Sequence, residues 1–507
     1  MTTTSSSSNL LPNQAAGRRR AACSAAGWPA WLILALITVV SVGGYLLASA
    51  ITYRIGFPLD DAWIHQTYAR NLALTGEWAF NPGKPSGGST APLWSALLAA
   101  GFLLKLAPYV WTYLLGTVAL WGLSLLGEKA ARGLVPAYHP RFPWVGAALA
   151  LEWHLVWAAA SGMETLLYAL LATAALVFII SGSRKYFSLG LLIGLSVWVR
   201  PDGITLLGPA VLVILLGQSS WSKRLWSLVN LGIGFGSPFA LYLLFNLVIS
   251  GHPWPNTFYA KQAEYAVYLK LPFLERWGSE ALQPLIGAGV VLLPGVVLAI
   301  ASAVRRRAWG VLVAAGWLVG FLALYAWFLP VTYQHGRYVI PAMPIFFLLG
   351  LAGLAEYVPR ASHWFFPTFW RLALGVILVI FWGRGAFAYA QDVAVIESEM
   401  VATAKWVSVN VPPGALVAAH DIGALGYFGG HELVDMAGLI SPEVIPFLRD
   451  ENQLAAYLTQ RGVSYLVAFP DWYPSLTSNL LPVFTTGAPY APALGETNMT
   501  VYRWLAP

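Results

Sequence analysis

The chain has 507 residues, of which 58% are hydrophobic and only 10% are charged, and its formal net charge is +7. Its mean hydropathy is +0.64. Because soluble domains carry about 25% charged residues, this composition excludes a soluble globular protein. The positive charge lies largely in short loops between hydrophobic runs, which indicates membrane orientation rather than nucleic-acid binding. With one cysteine, Cys23, the chain has neither an internal disulfide nor a cysteine-based metal site.

The amino-terminal segment 1–29 is predicted to be a disordered cytoplasmic tail. It is rich in Ser, Thr and Ala and carries the basic residues Arg18, Arg19 and Arg20. The apolar stretch 31–52 that follows is longer than the hydrophobic region of a signal peptide. We therefore expect an uncleaved membrane anchor rather than a cleaved leader.

Apolar runs predict a polytopic α-helical membrane domain over residues 30–389, with about eleven transmembrane helices. The runs lie near 30–52, 92–126, 142–160, 164–181, 186–199, 203–217, 228–249, 281–303, 310–329, 337–355 and 366–388. Basic residues place the amino terminus and residues 305–307 in the cytoplasm. By alternation, the outer loops are 53–91, 161–165, 199–203, 250–280 and 332–337. The run 92–126 then crosses once, and one side of Pro108 is expected to be re-entrant or interfacial.

The composition changes after about residue 390. The stretches "ALVAAHDIGALGYFGGHELVDMAGL" and "YLVAFP" are short β-rich runs, 450–461 is typical of a helix, and "MTVYRWL" predicts a final strand. Residues 390–507 are therefore predicted to form a small α/β domain. The odd number of spans places this domain on the extracytoplasmic side.

The first external loop, 53–91, is a polar segment directly after the first span. Asp60 and Asp61 follow Pro58, and Asp61 is predicted to cap a helix that ends at Gly76. Capping would account for one aspartate. Two adjacent carboxylates beside a membrane favour a functional site.

Helical spacing predicts that Asp61, His65 and Tyr68 share one face of this helix. The opposite face is predicted to point toward lipid, so that the helix lies along the outer membrane surface. The lipid-facing residues are Trp63, Ile64 and Leu74.

Other external loops carry polar residues at membrane depth, where charge is costly and usually marks a site or a pathway. The further candidates for donor phosphate or substrate binding are His65, Arg70, Lys84, Glu164, Arg200, Asn256, Lys261, His335 and Arg337. Arg337 is the best phosphate candidate because a guanidinium offers paired donors. For two of these residues a purely structural role remains an alternative to substrate binding. Glu164 would offset a helix dipole, and Arg200 would pair with Asp202.

Six motifs occur in order from about residue 50 to 450 and together resemble the GT-C class of glycosyltransferases. They are "LDDAWIHQTYARNLALTGEWAFNPG…GGSTAPLW", "SGMETLLYALL", "VRPDGITLL", "PNTFYAK", "HGRYVIPAMP" and "HDIGALGYFGGHELVDMAGLISPEV". The class is polytopic and uses polyprenyl-phosphate sugars. The sequence is most similar to the branch of the mycobacterial terminal arabinofuranosyltransferases, although the motifs do not imply arabinose itself.

The resemblance implies an external active site at the plasma membrane and a lipid-linked sugar donor that arrives from the bilayer. It makes Asp60 and Asp61 the catalytic pair, with one of them as general base. Arg337 and Lys261 become candidates for holding the donor's phosphate, and His65 and Arg70 are secondary members. The implied acceptor is a glycan, a lipid or a protein.

The chemistry of the residues agrees with an inverting transfer. A carboxylate can remove the acceptor's proton while fixed positive charge stabilises the departing phosphate. No dense set of metal ligands is visible, and a divalent cation (Mg²⁺ or Mn²⁺) at the aspartate pair is an open alternative. Two other functions also remain open: a transporter or flippase of a lipid-linked sugar, and a non-catalytic glycan-binding subunit. Three aromatic residues of the carboxy-terminal domain either stack on a bound glycan or belong to the hydrophobic core of that domain. They are Trp472, Tyr473 and Tyr490.

Overall fold

The computed structural model describes residues 28–217, 220–358 and 365–505. The predicted tail lies outside these ranges except for Trp28 and Pro29, so its disorder stays a prediction. The described residues form a helical bundle and, after it, a small sheet domain.

The helices of the amino-terminal half combine long apolar segments with short ones. In chain order they are α1 (Ala30–Thr52), α2 (Asp61–Thr75), α3 (Pro92–Leu103), α4 (Pro108–Leu134), α5 (Trp144–Leu151), α6 (Trp153–Ala160), α7 (Thr165–Ile180), α8 (Tyr186–Val199), α9 (Leu207–Gly217) and α10 (Trp221–Ser250). The following helices are α11 (Asn256–Glu264), α12 (Phe273–Leu282), α13 (Ala288–Arg306), α14 (Trp309–Phe328), the single turn α15 (Tyr333–Gly336), α16 (Met343–Tyr357), α17 (Phe365–Ile396) and α18 (Ala402–Asn410).

Seven helical segments of the described chain are long and apolar enough to cross a membrane. They are Ala30–Thr52, Pro108–Leu134, Trp221–Ser250, Ala288–Arg306, Trp309–Phe328, Tyr333–Tyr357 and Pro367–Asn410. Four shorter apolar helices lie at Pro92–Leu103, Thr165–Ile180, Tyr186–Val199 and Pro201–Gly217. A helix of 12 residues is about 18 Å long, less than the ~30 Å of a bilayer core. The predicted number of eleven spans therefore stays a prediction.

Two apolar runs are broken where the sequence carries a local stop. The run 92–126 divides into α3 and α4, and α4 begins with Pro108 at a helix start that tolerates proline. The run predicted as one span at 142–160 is two helices of eight residues each, so a continuous helix there is wrong. The break is at Glu152, whose carboxylate accepts a hydrogen bond from the backbone N–H of Leu155 and caps α6.

Small residues let neighbouring helices approach closely. A Cβ atom on Gly190 of α8 would overlap the Leu231 carbonyl of α10, and one on Gly234 would overlap the Phe187 carbonyl. The same relation holds between Gly353 of α16 and the Gly295 carbonyl of α13. In lipid, where apolar side chains gain little by associating, such backbone contact is a main source of helix packing.

The carboxy-terminal domain contains a five-stranded mixed sheet. Its strands are β1 (Val417–Ala419), β2 (Leu433–Asp435), β3 (Tyr465–Ala468), β4 (Leu481–Thr485) and β5 (Thr500–Arg503), in the order β2-β1-β3-β5-β4. Strand β1 is parallel to its two neighbours β2 and β3, with Val417 opposite both Leu433 and Tyr465. Strand β5 is antiparallel to β3 and β4. The helices of this domain are α19 (Glu451–Gln460), α20 (Pro474–Thr477) and α21 (Tyr490–Ala493).

The bundle and the sheet domain are joined by one long helical segment of 44 residues, Pro367–Asn410. The domain boundary predicted at residue 390 falls inside this segment, and the first strand begins only at Val417. The predicted helix at 450–461 and the predicted last strand are present as α19 and β5.

Helix α2 lies between the bundle and the sheet domain, and not toward lipid as predicted. Trp63 and Ile64 are 1% and 5% exposed, and Trp63 packs against Tyr427 and Phe428. Leu74 is 69% exposed. Of the three residues predicted to face lipid, Trp63 and Ile64 are therefore covered by protein and only Leu74 is exposed.

Candidate functional site

The two adjacent aspartates at the start of helix α2 have different surroundings. Its first residue is Asp61, so the flanking Asp60 occupies the N-cap position predicted for Asp61, and neither carboxylate caps the helix. The Asp60 carboxylate instead accepts hydrogen bonds from the backbone N–H groups of Gly423 at 2.6 Å and Ala424 at 2.8 Å. Its pKa is raised, first by burial and then by the nearby charge of Asp421. Asp60 thus fastens α2 to the carboxy-terminal domain.

The Asp60 contact leaves no room for a side chain at residue 423. A Cβ atom on Gly423 would overlap the Asp60 carbonyl oxygen and approach its carboxylate. We expect Gly423→Ala to lower the free energy of unfolding by about 1–3 kcal/mol, as overpacking does, and to reduce activity by displacing α2. Thermal unfolding of the purified protein measures the first effect.

The matched control for Gly423→Ala is Gly429→Ala. A Cβ atom on Gly429 would meet its nearest neighbour, the Leu425 side chain, at an ordinary 3.8 Å. Equal melting temperatures for the two variants would contradict the tight docking of Asp60 on this loop.

The Asp61 carboxylate faces two cations. Its Oδ2 accepts a hydrogen bond from Arg337 Nη2 at 2.7 Å and lies 3.9 Å from Lys261 Nζ. Burial alone would raise the pKa of Asp61, but the charges of Lys261 and Arg337 outweigh it and hold that pKa well below its usual range. The Asp61 side chain is 27% exposed and that of Arg337 only 5%. An anionic group entering from the open side would meet both cations beside the carboxylate.

Arg337 retains unused hydrogen-bonding capacity. Its Nη2 atom also donates to the Tyr338 hydroxyl at 3.0 Å, whereas its buried Nε and Nη1 atoms have no hydrogen-bond partner. Unsatisfied buried donors are costly, so a ligand that accepts from them binds favourably. Backbone geometry puts the guanidinium there: Gln334, His335 and Gly336 have φ values of 53°, 60° and 66°. A left-handed backbone conformation is strained for residues other than glycine, here Gln334 and His335. Strained residues of this kind cluster at functional sites.

A second group of charged side chains contacts α2 through His65. His65 Nε2 lies 3.4 Å from Glu164 Oε2, and Arg200 Nη1 lies 3.9 Å from Glu164 Oε1. Arg200 also pairs with Asp202 at 3.3 Å, which is the alternative left open by the sequence. Tyr325 donates its hydroxyl to Asp202 at 2.6 Å. These charges pair with one another next to α2, but the buried Glu164 Oε2 atom has no hydrogen-bond partner, so a role of this group in substrate binding stays a prediction.

Two of the predicted phosphate ligands are engaged elsewhere. The Arg70 guanidinium donates to the backbone carbonyls of Tyr427 at 2.6 Å and Gly426 at 3.2 Å, so it belongs to the interface with the carboxy-terminal domain. Lys84 is exposed and forms an ion pair with Glu432. The structure therefore does not bring Arg70 or Lys84 to the Asp61 cations.

Asn256 and His335 lie in the segments that carry Lys261 and Arg337. Asn256 begins the helix that carries Lys261, and its buried Oδ1 has no hydrogen-bond partner. His335 Nε2 is hydrogen-bonded to Asp392 Oδ2 at 2.8 Å, and the same oxygen accepts from Trp157 Nε1. His335 is thus oriented toward the long helical segment that bears Asp392.

The carboxy-terminal domain contributes residues that the sequence did not assign to the site. His420 and Asp421 follow β1 directly, and the Asp421 Oδ2 atom is buried with no hydrogen-bond partner. The pKa of Asp421 is raised by burial, against the lowering effect of His420; the charges of Asp61 and Lys261 also act on it. His420 Nε2 lies 3.5 Å from Glu264 Oε1 on α11. The sequence signal for His420 and Asp421 is their position directly after a predicted strand, since ligands bind at the carboxyl ends of parallel strands.

Among the described residues, no group of three or more His, Cys, Asp or Glu side chains is arranged to hold a metal ion. The aspartate pair does not suit a shared divalent cation. Both Asp60 oxygens already accept backbone N–H groups, and the Asp61 oxygen faces two positive side chains.

Comparisons with known proteins define the fold. The sequence model of a family described as "Domain of unknown function (DUF8728)" matches residues 387–502. No curated protein matches the chain. Among solved structures, ArnT from Cupriavidus metallidurans in the apo state is similar with a TM-score of 0.57 at 15% identity, over 94% of this chain and 98% of that one. The oligosaccharyltransferase of Archaeoglobus fulgidus in the apo form has a TM-score of 0.58 at 12% identity, over 87% and 69%.

The chain has the GT-C fold. ArnT bound to undecaprenyl phosphate is also similar, with a TM-score of 0.52 at 15% identity over 93% of this chain and 97% of that one. The predicted fold class, a polytopic helical protein with a small carboxy-terminal sheet domain, is confirmed. Within this GT-C fold, the candidate site is the space between α2, α11, the 333–337 turn and the loop after β1.

Proposed function

We propose that this GT-C chain is an inverting glycosyltransferase that moves a sugar from a polyprenyl-phosphate donor to an extracytoplasmic acceptor. The observation that carries the proposal is the Asp61 carboxylate held against Arg337 and Lys261, with two Arg337 nitrogen atoms free to bind an anion. A glycosyl phosphate needs a base at one end of the breaking bond and positive charge at the other. Asp61 offers the base, and Arg337 and Lys261 offer the positive charge.

In the proposed reaction the acceptor's hydroxyl oxygen attacks the anomeric carbon as Asp61 takes the hydroxyl proton. The new C–O bond forms while the bond from the anomeric carbon to the phosphate oxygen breaks. The leaving polyprenyl phosphate keeps the electron pair, and Arg337 and Lys261 stabilise its added negative charge. Because this is one displacement from the opposite side, the anomeric centre is inverted.

Donor binding prepares Asp61 to act as the base. Without a donor, the charges of Lys261 and Arg337 hold the Asp61 pKa below its usual range, which disfavours proton uptake by this carboxylate. A bound phosphate neutralises Lys261 and Arg337 and thereby raises that pKa. Asp60 is less suited to the role, because both of its oxygens accept backbone hydrogen bonds and the residue is 8% exposed. We assign Asp60 to holding the loop 421–424 against α2.

Charge at the other end of the bundle supports an extracytoplasmic site. The turn that carries Arg337 lies beside Gln283, five residues before the start of α13, since a Cβ atom on Gly336 would touch the Gln283 side chain. Helix α13 ends with the basic residues 305–307, where Arg306 pairs with Glu356 at the end of α16. The positive-inside rule makes this basic end cytoplasmic. The opposite end, with Asp61, then faces outward.

The donor class is supported by the ArnT structure that contains undecaprenyl phosphate. A lipid tail in the bilayer places the reacting phosphate at the membrane surface, where the Arg337 site lies in this proposal. The transferred sugar, hexose or pentose, is not determined by these contacts. Membership of the arabinofuranosyltransferase branch remains a prediction.

The proposal is tested with purified protein in detergent and a set of polyprenyl-phosphate sugars. Mass spectrometry of the lipids that accumulate in a deletion strain selects which donors to use. An enzyme transfers sugar in detergent, where no second compartment exists, whereas a flippase or transporter has no activity to measure there. Absence of transfer from every accumulated lipid, with substrate movement in liposomes, would establish the transporter alternative instead.

A further inference from the structure

One aromatic side chain of the carboxy-terminal domain is exposed next to the site. Trp472 is 45% exposed in the turn after β3, whereas its neighbour Tyr473 is 6% exposed. Tyr490 docks on the bundle, where its hydroxyl donates to the Thr52 carbonyl at 3.1 Å. Of the three aromatics that the sequence singles out, Tyr473 belongs to the core and Tyr490 to an interface. Trp472 packs against Phe469 and His420 but leaves nearly half of its surface exposed.

Polar groups border the Trp472 ring on one side. The His420 ring meets it edge-on, with 5.1 Å between centroids and an interplanar angle of 83°. His420 Nδ1 is hydrogen-bonded to the Tyr473 hydroxyl at 2.6 Å, and its Nε2 lies 3.5 Å from Glu264. An aromatic anchor at a lipid interface has no need of such a hydrogen-bonded imidazole and carboxylate. The Trp472 indole therefore lies beside polar groups that are held in place by hydrogen bonds.

Two segments of the chain connect this group of residues to the proposed catalytic site. His420 is followed by Asp421, and two residues later Gly423 donates its N–H to Asp60. Glu264 lies on α11, which also carries Lys261. The loop after β1 and helix α11 therefore each carry residues of both the Trp472 group and the Asp61 site.

We infer that Trp472, His420, Glu264 and Asp421 form an acceptor subsite that binds a carbohydrate. The apolar C–H face of a pyranose or furanose ring matches the exposed indole, and ring hydroxyls match the Glu264 and Asp421 carboxylates. The unpartnered Asp421 oxygen accepts a sugar hydroxyl. This inference rests on the proposed function and narrows the acceptor from glycan, lipid or protein to a glycan.

The test is steady-state kinetics of the full-length protein with Trp472→Ala and with Trp472→Phe. We expect Trp472→Ala to raise the KM for a glycan acceptor about tenfold, the equivalent of one aromatic stacking contact, and to leave the donor KM unchanged. Trp472→Phe recovers part of the loss because a ring is restored. Trp226→Ala is the control, since Trp226 is 69% exposed on the distant helix α10. An acceptor KM that is unchanged in Trp472→Ala overturns the inference.

A second measurement separates this inference from the proposed function. Saturation-transfer NMR on the full-length protein in nanodiscs, without donor, uses methyl glycosides of glucose, galactose, mannose and arabinofuranose as probes. We expect contact with at least one glycoside in the wild type and its loss in Trp472→Ala. Such binding in a protein that transfers no sugar refutes the proposed function but keeps the carbohydrate site. Binding that survives in Trp472→Ala, or that is absent in the wild type, refutes the site.

Discussion

Replacing Asp61 by Asn is expected to lower sugar transfer by about 10²- to 10⁴-fold, the usual contribution of a general base. Asn keeps the size of the side chain and can still contact Arg337, but it cannot accept the acceptor's proton. The loss should appear in kcat, because the donor-binding nitrogen atoms of Arg337 are unaltered. Transfer from the donor identified in the deletion strain, followed at saturating acceptor, gives this value.

The Asp61→Asn result is interpreted against two further variants. Glu443→Gln alters a carboxylate with 46% side-chain exposure in the carboxy-terminal domain and should leave transfer unchanged. Asp60→Asn should lower the melting temperature, because its amide cannot accept both the Gly423 and Ala424 N–H groups. An active Asp61→Asn protein beside a folded but inactive Asp60→Asn protein would reassign the base to Asp60.

Replacing Arg337 by Lys is expected to reduce kcat/KM for the donor by about 10²- to 10³-fold, the effect of removing one preorganised donor to a developing anion. The charge is retained, but an ammonium lacks the planar set of donors that can engage two phosphate oxygens. The free Nε and Nη1 atoms of Arg337 are the groups lost. Competition by undecaprenyl phosphate should weaken in parallel.

A folding defect in Arg337→Lys is distinguished by thermal unfolding. Lys261→Arg provides the matched comparison, because that residue approaches Asp61 only at 3.9 Å and its charge is kept. We expect the Lys261 variant to retain most activity. A stably folded Arg337→Lys protein with wild-type donor kinetics would remove Arg337 from phosphate binding.

Much of the fold follows from local sequence patterns. Long apolar runs and Gly76 define helices and a helix end because both depend on neighbouring residues alone; Gly76 adopts the left-handed φ of 74° of a helix carboxyl end. Hydropathy could not distinguish burial in lipid from burial in protein. Hydropathy therefore assigns Trp63 to lipid, although aromatic side chains from both halves of the chain cover it.

The central part of the site was also accessible from sequence, because loop alternation brings Asp61, Lys261 and Arg337 to one end of the bundle. The sequence does not reveal the contacts of Arg70 and Lys84, since their carbonyl and carboxylate partners lie about 350 residues later in the chain. Asp421 was missed for the same reason. Its motif was visible, but its proximity to the aspartates depends on docking between domains.

The structure of the full chain in nanodiscs with a bound polyprenyl phosphate tests most directly whether one cavity joins the base to the phosphate site. We expect the phosphate to contact Arg337 Nε or Nη1 and the Lys261 amine, with the Asp61 carboxylate facing the space open to an acceptor hydroxyl. A phosphate bound at the other end of the bundle, or held by residues remote from Asp61, would contradict this account.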